Sequence, residues 1–79
     1  MKIVMRDGRV FQGTALQIVR AMQDIAFGVE QLTPDQYIDW VVANARRFEE
    51  VELVVGGATT EERAGSLVEE MVAKGLAEA

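Results

Sequence analysis

Apolar residues recur at three- and four-residue intervals in three stretches of the chain, and alternate with polar ones in three shorter stretches between them. The first pattern is that of helices with one buried stripe, the second that of strands with one buried face. Ala15, Ile18, Val19, Met22, Ile25 and Ala26 form one stripe and predict a helix over residues 15–27, with Gly28 as its left-handed stop. Residues 34–48 predict a second helix, in which Leu32 precedes Tyr37 as in a hydrophobic staple and Pro34 takes the first helical position. Ala64, Leu67, Val68, Met71 and Val72 predict a third over residues 60–74, ending at Lys74-Gly75-Leu76. Before each helix stands a threonine with Gln or Glu three positions on: Thr14 with Gln17, Thr33 with Gln36, Thr59 with Glu62. In such a capping box the hydroxyl accepts from an otherwise orphan amide, and the longer side chain reaches back to the threonine's own N–H.

Residues 2–12 hold two β-prone runs separated by Asp7-Gly8, the dipeptide of a two-residue type I′ hairpin turn. That turn sets Arg6 opposite Arg9, Met5 opposite Val10, Val4 opposite Phe11 and Ile3 opposite Gln12. Ile3, Met5 and Val10 then share one face, and Val4 and Phe11 the other. Residues 51–55 predict a third strand, with Val51, Leu53 and Val55 on one side and Glu52 and Val54 on the other. The element order ββααβα predicts a single small α+β domain over residues 1–79. Its three-stranded sheet, in the order 2-1-3 with the third strand parallel to the first, carries three helices on one face.

The second helix has more apolar surface than one stripe needs. Tyr37, Ile38, Val41, Ala45 and Phe48 centre its face, Trp40 and Val42 flank it on either side, and the arc spans roughly 200°. Such a helix is either sandwiched inside the domain or meets another chain on its Trp40 side, where Asn44 would need a hydrogen-bond partner. A second candidate interface is the sheet face away from the helices, bearing Val4, Phe11 and Val54 within a rim of Lys2, Arg6, Arg9 and Glu52.

At 79 residues the core is thin, and with no Cys and no His the chain cannot reinforce it with a disulfide or a zinc site. Self-association is the reinforcement left open. The missing cysteine fits a reducing cytoplasm, and no apolar run is long enough for a membrane span or a secretion signal. The net charge of −5 is polarised. Residues 1–13 carry Lys2, Arg6 and Arg9 against Asp7, while residues 49–79 carry eight glutamates against Arg63 and Lys74. Scattered basic residues on an acidic chain argue against nucleic acid and leave open a basic protein partner.

Candidate chemistry is sparse. Histidine bases, thiol nucleophiles and cysteine or histidine metal ligands are absent, and Ser66, the only serine, has no base beside it in the sequence. The run Val55-Gly56-Gly57-Ala58-Thr59-Thr60 leads from a predicted strand to a helix start, where backbone amides can hold a phosphate. It lacks the lysine of a nucleotide loop, and Glu61 and Glu62 occupy the first turn. Asp35 and Asp39, four apart, read as a solvated helix face, and Glu49, Glu50 and Glu52 as surface charge at the end of an element. These features predict a non-catalytic, cytoplasmic, cofactor-free protein-interaction module that forms a homodimer or larger assembly through Val4, Phe11 and Val54, through Trp40 and Asn44, or both. The alternatives are an accessory or inhibitory subunit presenting its acidic C-terminal surface to a larger basic protein, and a small ligand- or anion-binding domain at the Gly56-Gly57 loop.

Overall fold

All three capping boxes form, with both halves in place, and they set the helix starts. A computed structural model describes residues 1–79. Its helices are α1 (Ala15–Ile25), α2 (Pro34–Phe48) and α3 (Thr60–Ala73), capped by Thr14, Thr33 and Thr59. The strands are β1 (Lys2–Met5), β2 (Val10–Gln12) and β3 (Ala77–Glu78). They form one sheet in the order β2-β1-β3, with β1 antiparallel to both neighbours. The protein is thus a small α+β domain: α1 packs against β2, α3 against β3, and α2 lies across α1 and α3. Ile18, Ile38 and Leu67, one from each helix, meet Ile3 of the sheet in the core. No helix is long and apolar enough to cross a membrane.

Two expectations about the sheet are corrected. The third strand is not residues 51–55 but Ala77–Glu78, so the element order is ββαααβ and the third strand runs antiparallel to the first. Gly75, at φ 79°, ends α3 in a Schellman termination: its N–H donates to the Val72 carbonyl, and that of Leu76 to the Met71 carbonyl at 2.8 Å. The reversal aims the chain straight at the open edge of β1. Residues 51–55 keep the expected alternation, with Leu53 buried and Glu52 and Val54 exposed, but they lie as an extended strap beside the helices. Side chains of α3 replace the missing ladder. The Val54 N–H donates to Glu70 Oε1 at 2.8 Å and the Gly56 N–H to Ser66 Oγ at 3.0 Å.

The hairpin register is shifted by one residue. Ile3 pairs with Phe11 and Val4 with Val10. The turn takes three residues, Arg6, Asp7 and Gly8, closed by the Gly8 N–H to the Met5 carbonyl at 2.9 Å and the Met5 N–H to the Arg9 carbonyl at 2.8 Å. A type I′ turn needs positive φ at both Asp7 and Gly8. Only Gly8, at 90°, adopts it, while Asp7 Oδ1 instead accepts from the Arg9 N–H at 3.0 Å. A one-residue slip exchanges the faces of the second strand. Phe11 therefore joins Ile3 on the helix-covered side, and Val10, 53% exposed, joins Val4 outside.

Candidate functional site

The surplus apolar surface of α2 lines a groove. Between the C-terminal half of α2 and the hairpin turn lies an open depression of about 490 Å³, walled by Trp40, Val41, Asn44 and Phe48 on one side and Met5 and Arg6 on the other. Met22, Met71 and Leu76 contribute to its lining, so three of the four methionines face one depression. Methionine is unbranched and polarisable, and adapts to irregular apolar partners. Beyond Met5 and Tyr37 the groove continues into a recess of about 190 Å³ lined by Phe11, Met22, Ile25 and Ala26.

Few polar groups punctuate it. Tyr37, 3% exposed, stacks under Trp40 with ring centroids 5.7 Å apart and planes 21° from parallel. Burial pushes the Tyr37 phenol up to about 12, so it stays protonated throughout the physiological range. Asn44 Nδ2 donates to the Trp40 carbonyl of its own helix at 2.7 Å, which meets part of the need noted for this amide. At the mouth, Arg6 donates through Nε to the Gly75 carbonyl at 3.0 Å and reaches Glu49 Oε2 at 3.4 Å, tying the hairpin turn to the ends of α3 and α2.

Of the residues singled out from the sequence, Trp40 and Asn44 lie together in this groove. Val4, Phe11 and Val54 do not come together. Phe11 faces the helices, Val4 lies on the outer side of the sheet, and Val54, 68% exposed, sits on the strap. The continuous outer patch expected from them is therefore absent, because it required both the other hairpin register and a strand at residues 51–55.

The polar candidates are engaged within the fold. The Gly56-Gly57 loop does form a nest of amides, but the nest holds the chain's own carboxylate: the N–H groups of Ala58 and Thr59 both donate to Glu62 Oε1 at 3.0 Å. Those two amides hold Glu62 below the usual carboxylate range. Gly57, at φ 126°, is required there, since a Cβ would stand 2.8 Å from the Glu62 Cβ. Asp35 and Asp39 lie on a solvated face, as expected, and there they also form a clamp. Arg63 reaches Asp35 Oδ1 at 2.9 Å and Asp39 Oδ1 through its other terminal nitrogen, and the Thr60 hydroxyl donates to Asp35 Oδ2 at 2.8 Å. The Thr60 bond and Arg63 hold the Asp35 carboxyl low. Glu49 pairs with Arg6 and Glu52 lies 3.9 Å from Arg46, while no three carboxylates gather closely enough to ligate a metal.

Sequence reasoning did not single out Gln23 or Phe27. Gln23, 8% exposed, donates from Nε2 to the carbonyls of Val29 and Leu32, both at 2.8 Å. This clamp fixes the α1–α2 loop, and α1 ends at Ile25, two residues short of the expected last helical residue, with Ala26 already extended. The signal was present as a polar residue adjoining the apolar stripe. Phe27, on the clamped loop, is 97% exposed. Comparison of the chain with protein-family models, with curated proteins and with solved structures finds no match in any of the three.

Proposed function

We propose that this protein is a self-associating interaction module of the cytoplasm, and that a second copy of the chain covers the groove beside Trp40. The observation that carries this reading is where the charge lies. The groove and its recess are lined by Arg6, Arg9, Asp7 and Glu49, which cancel, so the whole net charge of −5 lies elsewhere. Two copies of an acidic molecule repel each other, and an apolar face without net charge is one on which they can approach at lower cost. Arg6 is paired with Glu49 and Arg9 with Asp7 within the chain, each at 3.4 Å, so an isologous contact over the apolar centre brings no unpaired charge to its rim. An acidic face for a basic partner is less supported, because Glu62 and Glu70 of α3 are already bound to backbone amides.

Sedimentation equilibrium of the wild type and of Phe48→Glu tests the proposal. Phe48 lines the groove and is 69% exposed, so its replacement spares the core. The wild type is expected at twice the chain mass and the variant at the chain mass, and a wild type monomeric up to millimolar concentration overturns the proposal. The lone Trp40, 39% exposed, supplies a second readout, because its emission shifts to the blue when a partner excludes water.

A further inference from the structure

Phe27 is the most exposed large apolar side chain of the molecule, at 97%, and mobility of its loop does not account for it. The two bonds from the Gln23 amide hold the loop from within, and Val29, two residues on, is itself buried at 3%. Extended Ala26, at ψ 146°, and left-handed Gly28, at φ 77°, set the backbone on either side so that the ring stands away from its own domain. A held loop that presents an aromatic ring to solvent has the form of a binding anchor: the backbone is already fixed, so only the two side-chain torsions of Phe27 remain to be ordered when a partner receives it.

A receptor of suitable size lies beside the loop. Ile25 and Ala26, immediately before Phe27, line the recess of about 190 Å³ that continues the groove, so anchor and recess adjoin. A cavity of about 150 Å³ with apolar walls already takes up benzene. Besides Ile25, Ala26 and the paired Asp7 and Arg9, the recess is walled by Met5, Phe11, Met22 and Tyr37, two thioethers and two aromatic rings, and sulfur–aromatic contacts favour a phenyl guest. We infer that Phe27 of each copy inserts into the Met5–Met22 recess of the other, so that two copies exchange anchors reciprocally across a two-fold axis. An exchange that is reciprocal about a two-fold axis is closed, giving a dimer rather than a filament. An anionic membrane surface is disfavoured as the anchor's destination, since the chain carries −5.

This inference rests on the self-association proposed above, and the experiment separates the two. Sedimentation equilibrium compares the wild type with Phe27→Ser, and thermal melts of both confirm that loss of so exposed a ring leaves the monomer's fold intact. The dimer dissociation constant is expected to rise roughly a hundredfold or more, because each dimer loses two aromatic anchors. In parallel, p-benzoylphenylalanine at position 27 is irradiated in an equal mixture of isotopically labelled and unlabelled chains. The expected product joins position 27 of one copy to Met5 or Met22 of the other. A wild-type dimer that Phe27→Ser leaves equally tight, or a cross-link confined to any other segment, overturns the anchor and leaves self-association standing. A monomeric wild type overturns both.

Discussion

At its first turns α2 is bound to α3 through charge and hydroxyl groups, with Arg63 held by Asp35 and Asp39 and Thr60 donating to Asp35. From Trp40 to Phe48 the same helix turns apolar side chains toward a depression that the rest of the chain leaves open. The polar end has used its chemistry internally: Asp35, Asp39, Arg63 and the amides of Gly56, Ala58 and Thr59 have partners within the fold. The apolar end has surplus surface and few internal uses for it. A residue type that looks reactive in a sequence is therefore a weaker guide here than an apolar excess that the core cannot absorb.

The largest effect should come from Ile38, which is fully buried in α2 between the two ends. Ile38→Ala is expected to cost about 3 kcal/mol in urea unfolding and to melt both ends in one transition; a groove end that unfolds on its own would break the picture of one body with two differently finished ends. Gly57→Val should cost about 2 kcal/mol, through the left-handed backbone and the clash with Glu62, while leaving self-association unchanged. An equal loss of association would place the glycine loop in the interface.

Arg63→Met is expected to cost about 1 kcal/mol at neutral pH, as befits a partly exposed ion-pair network, and less in acid. The direction follows from linkage. Asp35, held low by Thr60 and then Arg63, and Glu62, held low by the Ala58 and Thr59 amides, have folded values below their ordinary 3.8 and 4.5. Their contribution is complete above those ordinary values and disappears as pH falls through the depressed folded ones. Stability should thus decline below about pH 4.5, and the double variant Asp35→Asn, Glu62→Gln should flatten that decline in acid melts. Smallest on stability is Phe48→Ser, expected within about 0.5 kcal/mol of wild type in the monomer. Its effect belongs to association, and a larger loss of monomer stability would assign Phe48 to the core.

The helices were legible in the sequence because their signals are local. A threonine and the residue three positions on settle a start, and Gly75 settles the end of α3, without reference to distant parts of the chain. The hairpin register was not, because it turns on whether Asp7 adopts positive φ or keeps negative φ and bonds the Arg9 amide, and Asp-Gly permits either. The misplaced strand has a different cause. Alternation at residues 51–55 reports that one side is buried, but it does not say whether a strand or the flank of a helix does the burying. The Trp40 half of the groove could be read from the period of α2. The Met5, Arg6 and Leu76 half could not, since it exists only once hairpin and α3 are brought together.

The strap has a consequence of its own. Its outer backbone groups are held by the Glu70 carboxylate and the Ser66 hydroxyl rather than by a neighbouring strand. Detachment does not require the sheet to be unzipped, only that Leu53 leave the core and the Val51 N–H release the Ala45 carbonyl, so the strap's amides should exchange with deuterium earlier than those of β1. Once loose, Val51, Leu53, Val54 and Val55 form a β-prone segment with an unpaired edge, the kind from which fibrils grow. Glu70 and Ser66 then act as gatekeepers, two surface side chains whose service to the protein is measured in shelf life.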